Sequence, residues 1–246
     1  LVELQLKQQD GTLIKSYSTQ DDKNKLDVKK GGNQFLWNTR YEGAEKLKEM
    51  IFWSASFSGA KAVPGDYKVS LIVNGKEQEQ PFTILPDPRS ESSVSDMQKQ
   101  FDFVNKVNQT VDGAHKAIKN IRAVNKKLKD FVQQNKTDST ATALIEQAKK
   151  IQKSLTQIEE TLYQTQNRSN QDPLNFPIRL TNKLGHLNRL ITIDDFPPTA
   201  QDNAVRLELT AQVDITMQAY KKIIDEDIIE FNKAFKKQKR DYLSIE

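Results

Sequence analysis

Leu85-Pro86-Asp87-Pro88-Arg89 divides this sequence into two grammars. Each proline fixes φ, lacks an N–H donor and pushes the residue before it out of the helical region. The run therefore predicts a short, stiff, extended connector. Seven of the nine glycines and both tryptophans lie before Arg89, and only Gly113 and Gly185 lie after it. This break in composition predicts two separate domains, 1–86 and 87–246.

Upstream, the pattern has period two. Val2, Leu4 and Leu6 alternate with Glu3, Gln5 and Lys7, as a half-buried strand requires. Asp10-Gly11 then leads into Leu13-Ile14 and Tyr17, which makes a hairpin. Tyr67, Val69, Leu71 and Val73 alternate again, and Asn74-Gly75 supplies two residues tolerant of positive φ. Pro64-Gly65 suits a type II turn. Gln34–Asn38 and Met50–Trp53 are further strand candidates. Six or seven short strands with turns between them read as an antiparallel β-sandwich. Trp37 and Trp53 have the makings of a ligand platform, but core packing explains them more simply.

Downstream, the period becomes 3.6. Leu144, Ala148, Ile151, Leu155, Ile158 and Leu162 form a heptad stripe. Met97, Phe101, Val104, Val111, Ile118, Ile121, Leu128 and Val132 keep a looser one. Ser95 with Gln98 reads as a capping box, and Thr199 with Asp202 as another. Val205, Leu209, Val213, Tyr220, Ile224, Phe231 and Phe235 are the expected buried stripe of the last helix. Helices are expected over about 95–135, 140–166, 178–192 and 199–240. Short connections favour an up-down four-helix, coiled-coil-like bundle. The expected fold class is thus α+β in two domains, sandwich then bundle.

Composition removes whole classes of function. The 246 residues contain no cysteine, which excludes a disulfide scaffold, thiolate metal sites and a cysteine nucleophile. His115 and His186 are the only histidines, too few for a His-rich metal site. No apolar run approaches the roughly 18 residues of a membrane span. Neither a signal peptide nor a lipidation motif is present. Leu1 falls inside what reads as a strand, so the chain is expected to be cut from a longer precursor.

The net charge is +4 and the sequence pI about 9.0. Residues 1–88 balance 12 basic against 12 acidic side chains, and the rest hold 25 against 21. The basic clusters Arg122–Lys129 and Lys233–Arg240 are ordinary for lysine-rich helices, so no nucleic-acid partner is expected. Lys30-Gly31-Gly32-Asn33 reads as a turn between strands, not a phosphate loop.

Carboxylates are the remaining side chains with catalytic potential. Sugar hydrolysis needs two acids facing each other across about 5–10 Å. Glu159-Glu160, and Asp225-Glu226-Asp227 with Glu230, are adjacent acids that a helix fans out, so a solvated face explains them. Asp194-Asp195 before Phe196-Pro197-Pro198 reads as a turn, and it lacks the spacing of a calcium loop. Neither histidine has a Glu three residues before it or a nucleophile signature, so both read as surface or interfacial. One loophole is a junction site where Asp87, Arg89 and the Phe196–Thr199 loop converge. No catalytic, cofactor-binding or metal residue is assigned, and no cofactor is expected.

A family resemblance adds to this reading. Residues 59–89, with Ala62-Val63-Pro64-Gly65-Asp66-Tyr67-Lys68-Val69 and Val73-Asn74-Gly75-Lys76, resemble an immunoglobulin-like (Ig-like) domain of the FlgD type. Asp87-Pro88-Arg89 leading into a long polar helix narrows the match, as do Phe176-Pro177-Ile178-Arg179-Leu180 and Pro197-Pro198-Thr199. The whole resembles the C-terminal region of bacterial, secreted, sortilin-like BNR-repeat propeller proteins, often labelled glycosyl hydrolases. That resemblance implies an extracellular or periplasmic location and an upstream propeller in the same precursor. The family's Asp-box repeat, Ser-x-Asp-x-Gly-x-x-Trp, occurs nowhere here, so no catalytic residue carries over. The expected function is a non-catalytic accessory region whose bundle offers a surface to a protein partner or a second copy. The alternative is the substrate-orienting part of a carbohydrate-active enzyme. This piece alone is not expected to be an enzyme, while the resemblance leaves open that a longer parent is a glycosyl hydrolase.

Overall fold

The computed structural model describes residues 1–237. It is a mixed α+β protein: one four-stranded antiparallel sheet and a set of long helices. The strands are β1 (Val2–Gln8), β2 (Leu13–Ser18), β3 (Gly65–Val73) and β4 (Lys76–Ile84). The helices are α1 (Val94–Gln134), α2 (Thr142–Leu162), α3 (Leu180–Ile191), α4 (Ala200–Lys222) and α5 (Ile228–Lys237). Positions 238–240 of the expected last helix, with Lys239 and Arg240 of its basic run, lie outside the described residues. Among the described residues, no helix is long and apolar enough to cross a membrane.

The chain forms two compact units, and neither is one continuous stretch. Unit 1 comprises residues 1–44, 58–106 and 191–199. Of the described residues, unit 2 comprises 45–57, 107–190 and 200–237. The connector at Pro86 is where strand gives way to helix, and the units exchange segments on both sides of it.

In unit 1 the strand order is β2-β1-β3-β4, all antiparallel. Asn74 and Gly75 both take positive φ, which matches the right-handed twist of the β3–β4 ribbon. Period two then sorts the faces. Leu4, Leu6, Tyr67, Val69, Phe82 and Ile84 share one face and its core with Ile14 and Ala62. The other face is polar and charge-paired: Lys7 bridges Glu77 at 2.7 Å, and Lys68 bridges Glu79 at 3.2 Å.

The expected six or seven strands are four among the described residues, in one sheet. Gln34–Asn38 is not a strand. Its alternating aromatics are laid across the sheet, Phe35 on Tyr17 at 4.6 Å and Trp37 near Tyr67 and Phe82 at 6.4 and 6.3 Å. Period two here reports an extended chain docked by its rings, without a hydrogen-bonded ladder. Trp37 is therefore core packing, whereas Trp53 is 41% exposed.

The helix α1 starts one box earlier than the expected Ser95–Gln98 pair. Ser93 Oγ accepts from the Asp96 N–H at 3.1 Å and donates to the Asp96 carboxylate at 2.6 Å. A serine N-cap with an acid at the third helical position satisfies the first free N–H groups and suits the helix dipole. Ser93→Ala is expected to cost about 1 kcal/mol in urea unfolding, against almost nothing for Ser95→Ala.

In unit 2, all six heptad residues of α2 are buried. The last helical segment departs from its expected stripe: Val205 is exposed, and Ile223 and Ile228 are buried. Between α4 and α5, Ile223–Asp227 forms a π-helical turn. Ile223 and Ile228 stand five apart, a step an unbroken α-helix would rotate off the core, and the wider turn restores it. Phe231 and Phe235 then meet Phe131 of α1 at 5.9 and 4.9 Å.

Candidate functional site

The second strand candidate, Met50–Trp53, belongs to a strap of unit 2, residues 45–57, whose backbone is held by helix side chains. The Glu45 N–H donates to Asp112 Oδ1 of α1 at 2.6 Å. The Ile51 N–H donates to the Tyr163 hydroxyl at 2.9 Å. Asn182 of α3 pairs with both main-chain groups of Trp53, accepting from its N–H and donating to its carbonyl at 2.8 Å each. The Ser56 N–H donates to the Gly185 carbonyl at 2.8 Å. A sheet partner is unnecessary because these groups already satisfy the polar backbone. Gly185 is small for a reason: a Cβ there would meet the Phe57 ring at 2.6 Å.

Both histidines serve this strap. His186 Nδ1 lies 2.9 Å from the Ser54 carbonyl, and His115 Nδ1 bonds the Glu45 carbonyl. His115 is only 1% exposed, which corrects its reading as a surface or interfacial residue. It packs against the rings of Phe52 and Phe57 at 5.6 and 5.4 Å. A carbonyl only accepts, so His115 Nδ1 carries the hydrogen, and the buried Nε2 has no partner among the described residues. Burial pushes the His115 pKa down, with Arg122 adding to it, against the Glu45 carbonyl and the carboxylates of Asp112 and Glu45.

The sign follows from linkage. The unfolded chain takes up a proton near pH 6.5 that the folded chain refuses, so stability is full above that pH and falls below it. One proton contributes a slope of up to about 1.4 kcal/mol per pH unit. Urea unfolding from pH 7.5 down to 5 should show this slope, and His115→Gln should remove it. Equal pH dependence in the two proteins would contradict the assignment.

The acidic candidates are dispersed. Glu159 is not on a solvated face: it is buried and takes Arg122 Nε at 2.8 Å, while Glu160 is exposed. The Arg122 guanidinium also lies over the Tyr163 ring at 5.7 Å. Asp225, Glu226 and Glu230 are exposed. Among the described residues, no group of three His, Asp or Glu side chains is placed to hold a metal.

The connector does line a cleft, of about 460 Å³, in unit 1. Asp87 and Arg89 both face it, but they form their own fork: Arg89 Nε and Nη2 reach the two Asp87 oxygens at 3.0 and 2.7 Å. That guanidinium holds the Asp87 carboxyl well below the usual carboxylate range. Across the cleft Lys61 Nζ bridges Asp195 at 3.0 Å. Asp194 Oδ1 accepts the Asp195 N–H at 2.8 Å, so this pair is a turn, as its sequence suggests. The turn is pinned by buried Gln100, whose amide reaches the carbonyls of Ile191, Asp194 and Phe196 at 2.9, 2.6 and 3.0 Å. Sequence reasoning missed Gln100, which looks like any polar residue of a long helix.

A second groove of unit 1, also about 460 Å³, opens beside Tyr41. Its lining joins the end of β1, the start of β3 and the first turns of α1. Gln8 Nε2 donates to the Tyr41 hydroxyl at 3.0 Å, and the Tyr67 hydroxyl donates to the Val63 carbonyl at 2.6 Å. Burial, with Tyr41 alongside, pushes the Tyr67 hydroxyl up to about 12, so it stays a donor. The Tyr41 ring meets Phe101 edge-on at 4.7 Å.

No protein-family model, no curated protein and no solved structure matches this chain.

Proposed function

We propose that this chain is a non-catalytic accessory region of a larger secreted, extracellular or periplasmic propeller protein, acting by contact and not by turnover. Its antiparallel hairpins with a one-sided core support an Ig-like β-module. Long helices with apolar stripes support a coiled-coil-like bundle after it. The observation that carries the contact role is the outer face of α4. Leu207, Ala211 and Ile215 are spaced by four and exposed, on the side away from buried Leu209, Val213 and Thr216. Solvent-facing apolar rows of this kind mark partner surfaces. A symmetric pair of such rows, with alanine at its centre, lets two helices approach closely. Sedimentation equilibrium tests it: a dimer that Ile215→Lys dissociates without lowering the melting temperature supports the reading. A monomer in both proteins removes the second copy as the partner.

A second reading, the substrate-orienting part of a carbohydrate-active hydrolase, is favoured by the groove beside Tyr41. Its test is cleavage of aryl-glycosides by the full-length precursor, which that reading requires.

A further inference from the structure

The Tyr41 groove has a lining of uncommon consistency. Gln9, Gln98, Asp10 and Asp66 form its exposed polar rim, and half-buried Tyr41 and Phe101 form an apolar wall. Among the described residues, neither Lys nor Arg lines it. Its volume, about 460 Å³, lies within the range of small-molecule sites.

We propose that this groove binds a neutral saccharide of one or two rings. A carboxamide both donates and accepts, and a carboxylate accepts, so together they complement a hydroxyl, which does both. The aromatic wall suits the C–H face of a pyranose ring. Absence of cations from the lining argues against an anionic ligand. The rim acids are partly engaged already, which argues against a cationic one: Asp10 accepts the Thr12 N–H at 2.9 Å with Lys68 nearby, and Asp66 accepts the Thr83 hydroxyl at 2.7 Å. Gln9 and Gln98 stay at the rim, with Gln98 touching Asp102 at 2.9 Å. The Tyr41 and Tyr67 hydroxyls are held by the Gln8 and Val63 bonds, so the tyrosine side of the groove is preformed, which lowers the ordering cost of binding.

The inference takes its ligand class from the groove and deepens the second reading above. The test is a titration of the 246-residue chain with cellobiose, maltose, lactose and chitobiose, followed by amide chemical shifts. The expected result is about millimolar affinity for at least one of them. Shifts should centre on residues 8–10, 41, 66–67 and 98–101. Gln98→Ala with Asp66→Ala, both exposed and outside the core, should weaken binding about tenfold at unchanged melting temperature. No shift with any of the four sugars, shifts elsewhere, or equal affinity in the double variant would overturn the proposal. So would a response to lysine methyl ester alone. A precursor that cleaves no glycoside leaves the groove standing and removes only the hydrolase reading.

Discussion

Leu155→Ala is expected to destabilise the protein by about 2–5 kcal/mol, the loss of transfer free energy plus that of an unfilled cavity. Leu155 stands in the middle of the α2 stripe with no exposed surface, between Ile151 and Ile158, which are also buried. α2 packs against both α4 and α5, and a fully buried side chain in its stripe leaves a cavity that its surroundings close only in part. Leu155→Lys should be worse, because it buries a charge in an apolar stripe where Glu159, one turn on, is already paired with Arg122. Exposed Lys153→Ala is the control and should change little. The comparison is made by urea unfolding at pH 7.5. A Leu155→Ala midpoint equal to wild type would take α2 out of the core.

Gly59→Ala is the second large effect, at about 3 kcal/mol or more. A Cβ at residue 59 would lie 1.9 Å from the Tyr41 carbonyl oxygen and 2.4 Å from its carbon. Those atoms are backbone, and the two segments are tied there: the Tyr41 N–H donates to the Ala60 carbonyl at 2.9 Å, and the backbones of Arg40 and Lys61 pair in an isolated antiparallel β-bridge. Relief needs the segments to part, which would also move Tyr41 off Phe101. Beyond unfolding at lower urea, the variant should lose saccharide affinity. Wild-type stability in Gly59→Ala would contradict the close crossing.

How far the sequence carried the fold differs between its parts. The β1–β2 and β3–β4 hairpins and the α2 stripe were legible because their signals are local: alternation, Asn-Gly, heptad spacing. The strap was not. Its bonds come from Tyr163, Asn182 and His186, more than a hundred positions away, and Met50–Trp53 reads like any short apolar strand. Gly185 was its one visible trace, a glycine inside a helix and adjacent to a histidine. The π-turn was hidden for another reason. Ile223 and Ile224 are both apolar, so a regular 3.6 stripe can run through the wrong one. The Tyr41 groove assembles three distant segments, 8–10, 63–67 and 94–101, plus Tyr41, none with a motif of its own.

As the accessory region proposed above, this chain works by contact and turns nothing over. The most direct test is a screen of the purified 246-residue protein against aryl-glycoside, ester and peptide substrates, with and without divalent metal ions. The expected result is no rate above the buffer blank in any condition. Turnover that survives repurification and disappears in Asp87→Ala would contradict it, and would place chemistry at the cleft where Asp87, Lys61 and Asp195 stand.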